Sequence, residues 1–599
     1  MRAARLARLR AALANRGLAG FVVPRADAHQ GEYVAPHAER LAWLTGFTGS
    51  AGQAVVLAAR AALFVDGRYT LQTAAQVDEA LFEIHNSAET RAEDWVAAHL
   101  GAEERLGYDP WLHTVDGVAK LAAACEKAGG ALVALADNPV DALWADQPAP
   151  PRAPIVPHPL DYAGKPAAEK RCELGAALSK AGVDVAILTM PDSVAWLLNI
   201  RGGDVPHVPV AHVFALLHGD GGVALFGAPE AVSDTLRAHL GDEVRLAPKE
   251  ELGPALDALG QTGRAVRLDP MTAAAWVEQR LRAAGARVVR DMDPCALPKA
   301  CKNEVELAGA RAAHRRDGAA LTRFLAWIAA AAPAEGITER AAAERLYALR
   351  AEDPMLRDLS FDTISGAGPN GAIVHYRVSA ESDRALAPGT LYLVDSGAQY
   401  PDGTTDVTRT VAIGTPDAEM RDRFTRVLKG HIALATACFP EGTTGSQLDA
   451  LARRPLWRAG LDYDHGTGHG VGSYLSVHEG PQRISKQPNR VALRPGMICS
   501  NEPGYYKTGA YGIRIENLVA VREAEAPAGA ERTLLEFETL TLAPIDRALI
   551  AADLMTADEI VWLDAYHARV RAVLTPLLDA ATADWLEGAT APILCRRAP

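Results

Sequence analysis

The sequence predicts an α/β (α+β) protein in which two similar amino-terminal domains precede a third, larger domain. Three observations support this fold class. The chain has 599 residues, a set of strand and helix patterns occurs twice in the same order, and a proline-rich segment lies between the two occurrences. A chain of this length is too long for one hydrophobic core, because domains typically contain about 150 residues.

The first occurrence of the repeated pattern follows an amino-terminal helix. Short apolar runs at 20–24, 54–57 and 62–66 predict buried strands with helices between them. The matching elements of the two occurrences are 20–24 and 182–188, 42–44 and 195–197, and 62–64 and 224–226. Because these elements keep their order, we expect a duplicated α/β domain.

Two boundaries divide the chain. Seven prolines within residues 148–166 favour an extended linker and oppose regular helix. Asn303 followed three residues later by Glu306 is a capping-box pattern that predicts the start of a long helix. We therefore expect a first domain at 1–160, a second at 161–300 and a third at 301–599.

The overall composition argues against several classes of function. Hydrophobic residues make up 49% of the chain and charged residues 23%, as in ordinary soluble proteins. The net charge of -13 argues against nucleic acid as a partner, because phosphate binding relies on clustered Lys and Arg. The longest wholly apolar stretch, 324–334, is far shorter than the roughly 20 residues that span a bilayer, so we expect no membrane segment.

The cysteines and the first residues predict a cytoplasmic protein. Seven cysteines are scattered without a Cys-x-x-Cys pair, which is typical of reduced thiols. Residues 1–16 place arginines and leucines at helical spacing and leave no uncharged core for a signal peptide. An Arg-rich transit peptide is the less favoured alternative.

A histidine-rich segment indicates where the chemistry lies. His465-Gly466-Thr467-Gly468-His469-Gly470-Val471-Gly472 is followed closely by His478, and glycine occupies every second position of its first half. Such a segment cannot form a stable helix or fill an apolar core, since glycine supplies no side chain and loses much conformational entropy on folding. We therefore expect it to position imidazoles.

Four acids in the flanking strands complete a candidate metal site. The apolar strand at 391–395 ends in Asp395, and the alternating strand at 406–413 begins with Asp406, with Pro401-Asp402-Gly403 as a turn between them. A hairpin would bring these two carboxylates together, although an isolated pair of aspartates is more often solvated. Glu502 ends a second apolar strand, and the period of two in 511–519 puts Glu516 on the same face as Arg514.

These donors define the expected metal. Asp395, Asp406, Glu502 and Glu516 with His469 make four carboxylates, one imidazole and no thiolate. Oxygen-dominated ligation favours hard divalent ions, manganese before zinc, and four negative charges neutralise two such ions. The prediction is a two-metal hydrolytic site with a bridging hydroxide as nucleophile.

The combination of motifs resembles a known family. The segment 465–472 with Val477-His478-Glu479-Gly480-Pro481, the segments 395–398 and 405–410, Glu502-Pro503-Gly504 and Gly512-Ile513-Arg514-Ile515-Glu516-Asn517 are similar to the motif set of aminopeptidase P, the Xaa-Pro aminopeptidases of the pita-bread metallopeptidase superfamily. The helix after 301, the tail beyond about 535 and Asp66-Gly67-Arg68-Tyr69 resemble the three-domain cytosolic branch. The resemblance implies two creatinase-like domains, a pita-bread catalytic domain with a carboxy-terminal extension, and a homodimer.

The same resemblance implies roles for individual residues. Asp395 would hold one manganese ion, Asp406 and Glu516 would bridge two ions, and His469 and Glu502 would complete the second site. Catalytic roles would fall to Glu502 as proton carrier, to His478 near the scissile carbonyl, and to His375. The implied substrate-binding residues are Arg68, His375, His465, His478, Tyr506 and Arg514. Asn501, which precedes Glu502, departs from the motif, since aspartate would be equally expected at that position.

The implied function is removal of an amino-terminal residue that precedes proline in a peptide. A prolidase that cleaves Xaa-Pro dipeptides is the alternative within the superfamily, and the long chain and the Arg68 motif argue against it. A non-catalytic binding module or a metal-free creatinase-like enzyme would not need all five ligand positions filled. His478-Glu479 lacks the second histidine of a zincin helix, and the glycines miss the Gly-x-Gly-x-x-Gly order of nucleotide-binding loops.

Overall fold

The computed structural model describes residues 1–227 and 232–593. The chain forms two compact units, residues 1–160 with 165–296 and residues 161–164 with 297–599. No helix among the described residues is long and apolar enough to cross a membrane. The cysteines in the described ranges are free thiols, and Cys595 lies outside those ranges.

Residues 1–300 alternate between helices and short strands. The helices are α1 (Arg2–Asn15), α2 (Arg40–Thr45), α3 (Thr70–Gln76), α4 (Ala92–His99), α5 (Val115–Lys127), α6 (Leu160–Ala163), α7 (Ala167–Lys180), α8 (Pro191–Leu198), α9 (Asp234–Leu240), α10 (Leu252–Gln261), α11 (Ala275–Ala283) and α12 (Ala296–Ala300). The strands are β1 (Gly20–Pro24), β2 (Gln53–Leu57), β3 (Ala61–Val65), β4 (Glu83–Asn86), β5 (Arg105–Tyr108), β6 (Ala131–Ala134), β7 (Val156–Pro157), β8 (Val185–Leu188), β9 (Ile200–Arg201), β10 (Phe214–His218), β11 (Val223–Phe226), β12 (Val244–Ala247), β13 (Ala265–Leu268) and β14 (Arg287–Arg290).

The first unit confirms the duplication that the sequence predicts. Its two six-stranded sheets have the orders β4-β3-β2-β1-β5-β6 and β12-β11-β10-β8-β13-β14. In each sheet the same pair of junctions is antiparallel and the other three are parallel. The central strands are buried on both faces, which explains why they appear in the sequence as continuous apolar runs.

Residues 301–593 make up most of the second compact unit. The helices are α13 (Glu304–Glu335), α14 (Glu339–Arg350), α15 (Ala418–Ala435), α16 (Gly445–Trp457), α17 (Ala557–Leu574) and α18 (Ala580–Ala589). The strands are β15 (Asp358–Leu359), β16 (Ile364–Ala367), β17 (Thr390–Ser396), β18 (Ala398–Tyr400), β19 (Gly403–Thr404), β20 (Val407–Ile413), β21 (Phe439–Pro440), β22 (Gly468–Gly470), β23 (Glu479–Ile484), β24 (Ile498–Asn501), β25 (Gly504–Lys507), β26 (Tyr511–Arg514), β27 (Asn517–Glu523) and β28 (Leu534–Thr539).

Local signals predict two features of this unit correctly. Asn303 caps α13, its side chain accepts from the backbone of Glu306, and the Glu306 carboxylate accepts from the backbone of Asn303. β17 and β20 form the expected antiparallel hairpin, in which Asp395 lies opposite Thr408. The turn between them contains a smaller hairpin made of β18 and β19.

The prediction of one continuous alternating strand at 511–519 is wrong. The segment is divided into β26, which pairs with β25, and β27, which pairs with β24. Between them the backbone N–H of Glu516 donates to Thr408 O at 3.2 Å, so the chain turns toward the β17–β20 hairpin. Both faces of the segment are buried, and the alternation of Ile and charged residues therefore does not separate core from solvent.

Candidate metal centre

His469 is presented from the interior of a sheet with the order β21-β28-β27-β24-β22-β23. A Cβ at Gly468 would lie 2.0 Å from Ser500 O, and one at Gly470 would lie 2.4 Å from Glu479 O, so only glycine permits strands this close. The ring Nδ1 of His469 lies 2.9 Å from Gly470 O and donates its proton there. Its Nε2 is thereby left to face the carboxylates.

The acids predicted from the sequence meet at this imidazole. His469 Nε2 lies 3.5 Å from Asp406 Oδ2 and 3.5 Å from Glu502 Oε1. Donor atoms lie within 4.8 Å of one another in three overlapping groups, which are Asp395 with Asp406 and Glu516, His469 with Glu502 and Glu516, and Asp406 with His469 and His478. The five expected ligands therefore form one cluster, and His478 lies beside it.

The cluster carries more negative charge than its burial permits without a cation. Burial and the charges of Asp406 and Glu502 raise the pKa of Glu516 well above its ordinary value. Burial also raises the pKa of Asp395, against the opposing charge of Arg514, and that of Glu502. Asp395 Oδ1 is buried without a hydrogen-bond partner. Oxygen donors that crowd together in this way fit hard divalent cations, and the set is large enough for two.

The negative charges of the cluster also raise the pKa of the His469 imidazole, and there they favour the charged form. Burial lowers the pKa of His469, but the hydrogen bond to Asp406 and the charge of Glu502 outweigh burial and raise that pKa to about 9. A cation at the site would replace the proton that His469 otherwise binds, since ligation requires neutral imidazole. The same negative charges that raise this pKa would favour a metal cation in the place of the proton.

A hydrogen-bonded chain connects the acids to one wall of the site. Arg514 is buried and donates through Nη2 to Asp395 Oδ2 at 2.6 Å and through Nη1 to the Tyr506 hydroxyl at 2.6 Å. The Tyr506 hydroxyl lies 2.8 Å from His465 Nε2. Since His465 Nδ1 donates to Gly466 O, its Nε2 accepts the hydrogen bond from the Tyr506 hydroxyl. These two hydrogen bonds fix the orientation of the His465 ring at the side of the site.

The remaining predicted substrate residues occupy different places. His478 is half-buried, and its ring lies 4.3 Å from that of His469 between centroids. His375 follows Val374, whose carbonyl accepts from Arg514 Nη2 at 3.4 Å. Arg68 belongs to the first compact unit, where its guanidinium binds both oxygens of the Asp66 carboxylate.

Comparisons with known proteins identify the family of this chain. Residues 308–523 match metallopeptidase family M24, and 533–593 match the C-terminal region of that peptidase. Residues 5–143 and 146–306 each match a creatinase/prolidase N-terminal domain. Aminopeptidase P2 of Arabidopsis thaliana is 41% identical over 96% of this chain and 86% of its own length. The chain belongs to the aminopeptidase P group of family M24.

Two further relatives of this M24 peptidase support the assignment. A probable Xaa-Pro aminopeptidase P of Aspergillus niger is 40% identical over 98% of both chains. The crystal structure of X-prolyl aminopeptidase from Caenorhabditis elegans, described as a cytosolic enzyme with a dinuclear active site, superposes with a TM-score of 0.94 at 35% identity. That superposition covers 99% of this chain and 100% of the other. Two creatinase-type domains and a pita-bread domain therefore make up this enzyme.

Sequence reasoning missed the polar residues that hold the acids of this M24 centre. Thr408 donates to Glu516 Oε2 at 2.8 Å, and Ser500 donates to Glu502 Oε1 at 3.1 Å while accepting from the His469 N–H. Thr408 lies two residues after Asp406, and Ser500 two residues before Glu502. The period of two along a strand is the signal that could have indicated both residues.

The unexpected Asn501 has a structural reason. Its side-chain amide donates to His431 O at 2.9 Å, and His431 Nδ1 lies 3.1 Å from Asn501 O. His431 Nε2 in turn accepts from Asn517 Nδ2 at 3.1 Å. An aspartate at 501 could not donate to the carbonyl. The buried amides thus hold the residues next to Glu502 and Glu516.

Proposed function

We propose that this enzyme removes the amino-terminal residue from peptides whose second residue is proline, with two divalent metal ions, most simply manganese. The observation that carries the proposal is the buried cluster of four carboxylates and His469, whose donor atoms lie within 4.8 Å in overlapping groups. The aminopeptidase P group, to which the chain belongs, supports the substrate class.

The proposed ligation follows the overlap of these groups. Asp395 would hold one ion, Asp406 and Glu516 would be shared by both ions, and His469 and Glu502 would complete the second site. When bound, two such ions would supply a bridging hydroxide as nucleophile at neutral pH. Arg514 would keep the Asp395 carboxylate in place through its 2.6 Å hydrogen bond.

Two residues of the chain would handle the proton and the developing charge. Glu502 has a raised pKa because it is buried, so its carboxylate can accept a proton from the attacking water and pass it to the leaving nitrogen. His478 is half-buried beside His469, where a ring N–H could donate to the oxygen of the scissile carbonyl. His375 would assist from the other wall of the site.

An apolar wall would recognise the proline ring. A bond before proline has a tertiary amide nitrogen without N–H, so selectivity depends on apolar contact with the ring rather than on a hydrogen bond. Ile373, Val378 and Tyr506 pack against one apolar cluster that contains Tyr376, and the Tyr506 hydroxyl hydrogen-bonds His465. His375 and His465 would flank the ring, with Tyr506 behind them, and Arg68 would contact the peptide.

The domain boundaries, the cellular location and the oligomeric state are also part of the proposal. We propose domains at 1–160, 161–300 and 301–599, with the carboxy-terminal extension from about 535. By analogy with the group, the enzyme would act in the cytoplasm as a homodimer on peptides, without nucleic acid or membrane as partners.

A peptide panel tests the proposal. Purified enzyme loaded with manganese is incubated with Ala-Pro-Ala, Ala-Ala-Ala, N-acetyl-Ala-Pro-Ala and Ala-Pro, and released products are quantified. We expect rapid release of alanine from Ala-Pro-Ala, far slower cleavage of Ala-Ala-Ala, no hydrolysis of the acetylated peptide and slower cleavage of the dipeptide. An Asp406→Asn preparation serves as a control for contaminating peptidases.

The alternatives predict different outcomes of the same panel. Comparable rates for Ala-Ala-Ala and Ala-Pro-Ala would refute proline selectivity. A preference for Ala-Pro over Ala-Pro-Ala would assign the enzyme as a prolidase. Absence of hydrolysis in protein that retains bound metal would instead favour a binding module.

A further inference from the structure

Glu339 is a buried carboxylate that the metal centre does not use. It is the first residue of α14, and its side chain is fully buried, with a relative exposure of 0%. A carboxylate in such a place requires several donors, because transfer of a charge out of water is very unfavourable. Glu339 receives these donors from the segment 367–384, which connects β16 toward β17.

The contacts of Glu339 hold that segment at both ends and in its middle. Oε1 accepts from the Ala367 N–H at 2.6 Å, and the Asn370 amide lies 3.0 Å from both carboxylate oxygens. Oε2 accepts from the Tyr376 hydroxyl at 2.9 Å and from the Arg384 N–H at 3.1 Å. One side chain therefore closes the segment 367–384 into a loop, and the hydroxyl it binds belongs to Tyr376, which follows His375 in the chain.

The inner side of the loop is fastened to the metal centre. Arg514, which binds Asp395, also donates to Val374 O at 3.4 Å. Ile373, Tyr376 and Val378 pack with Tyr506 in one apolar cluster. The segment 373–378 thus has two sets of contacts, one with Arg514 and Tyr506 and the other with Glu339.

We propose that Glu339 is a positioning residue for substrate selection, which holds the segment 367–384 so that His375 and the apolar wall contact the residue in the second peptide position. The inference rests on the proposed function and adds to it a residue that touches neither metal nor substrate. Glu339 acts through Tyr376 and Asn370. Its loss should loosen the proline pocket while the metal cluster keeps all of its donors.

Three variants test this role in the full-length, manganese-loaded enzyme. Glu339→Gln sets an amide NH2 against the backbone N–H of either Ala367 or Arg384, each of which needs an acceptor. Tyr376→Phe removes the hydroxyl that binds Glu339 and Ser382. Asp546→Asn is the control, because Asp546 is a half-buried carboxylate of the same unit, accepts from two backbone N–H groups and makes no described contact with the loop. Each variant is assayed for bound manganese, for the melting temperature and for kcat and KM with Ala-Pro-Ala and Ala-Ala-Ala.

We expect Glu339→Gln to keep its manganese and to lose about tenfold to a hundredfold in the ratio of kcat/KM for Ala-Pro-Ala over Ala-Ala-Ala, mainly through KM. Tyr376→Phe should lose about two- to fivefold in that ratio, and it remains informative if Glu339→Gln does not fold. Asp546→Asn should lower the melting temperature and leave the ratio unchanged.

Three results would overturn the inference. If wild-type enzyme prefers proline and Tyr376→Phe and every folded Glu339 variant keep the wild-type ratio, Glu339 has no part in selection although the proposed function stands. If manganese is lost in step with activity, Glu339 supports the metal centre instead. A wild-type enzyme without proline preference would overturn the proposed function itself, and this inference with it.

Discussion

Replacing Asp406 by asparagine should stabilise the metal-free protein while weakening its capture of metal. Donor oxygens of Asp395, Asp406 and Glu516 lie within 4.8 Å of one another. Two unit charges at that distance repel by about 3.5 kcal/mol at an effective dielectric constant of 20. Asp406→Asn removes its two repulsions. It also removes the hydrogen bond to His469, whose pKa Asp406 helps to raise to about 9, and proton uptake by the neighbouring acids lessens the relief further, which leaves about 1–2 kcal/mol.

The direction of the pH dependence follows from the pKa shifts. Burial raises the pKa values of Glu516, Asp395 and Glu502, so the folded metal-free protein holds protons that the unfolded chain has released. This contribution to stability is present below pH 4 and is lost as the pH rises through the raised values. The advantage of Asp406→Asn over the wild type, both without metal, should therefore be greater at pH 8 than at pH 5.

Melting temperatures with and without metal provide the assay. At pH 8 the metal-free variant should melt a few degrees above the metal-free wild type, and manganese should raise the wild type far more than the variant. His478→Ala is the control, since His478 is proposed to donate to substrate. It should respond to manganese as the wild type does and turn over about a hundredfold more slowly.

Two outcomes would refute this reasoning. A metal-free Asp406→Asn protein that melts below the metal-free wild type at pH 8 would show that the repulsion among these acids does not exceed the attraction between Asp406 and His469. An equal loss of manganese in His478→Ala and Asp406→Asn would make His478 a ligand, as its place beside Asp406 and His469 permits.

Two other measurements extend these tests. Prolonged chelation should abolish peptidase activity, manganese should restore it best and cobalt in part, and full activity in metal-free protein would contradict the two-metal proposal. Burial and the charge of Arg409 lower the pKa of His567 to about 3, and its Nε2 accepts from the Ile545 N–H. This contribution to stability is present above pH 6.5 and is lost as the pH falls, by about 2 kcal/mol at pH 5. His567→Gln should therefore lose less melting temperature between pH 7 and 5 than the wild type does, and equal losses would contradict this.

The amino-acid sequence by itself determined the features that depend on local spacing. The capping box at Asn303, the strand patterns of the duplicated domain and the hairpin that joins Asp395 to Asp406 each depend on neighbours a few residues away, and all three are present in the structure. The glycines around His469 likewise indicated a segment that positions imidazoles, although only the structure shows that it is a strand packed closely against others. Asp395, Asp406 and Glu502 could be named because each stands at the end of a recognisable strand, whereas His469 was named from its glycine-rich segment and Glu516 from the alternation within 511–519.

Only the tertiary structure decided which distant groups complete the site. Glu516 is held by Thr408, which lies 108 residues away, and that contact accompanies the break between β26 and β27 that an alternating pattern does not reveal. His431, which belongs to α15, binds Asn501 and Asn517. Glu339, at the start of α14, binds the segment 367–384 that contains His375. Such contacts satisfy buried polar groups, and a buried polar residue has the same sequence signature as an exposed one until the fold brings its partner to it.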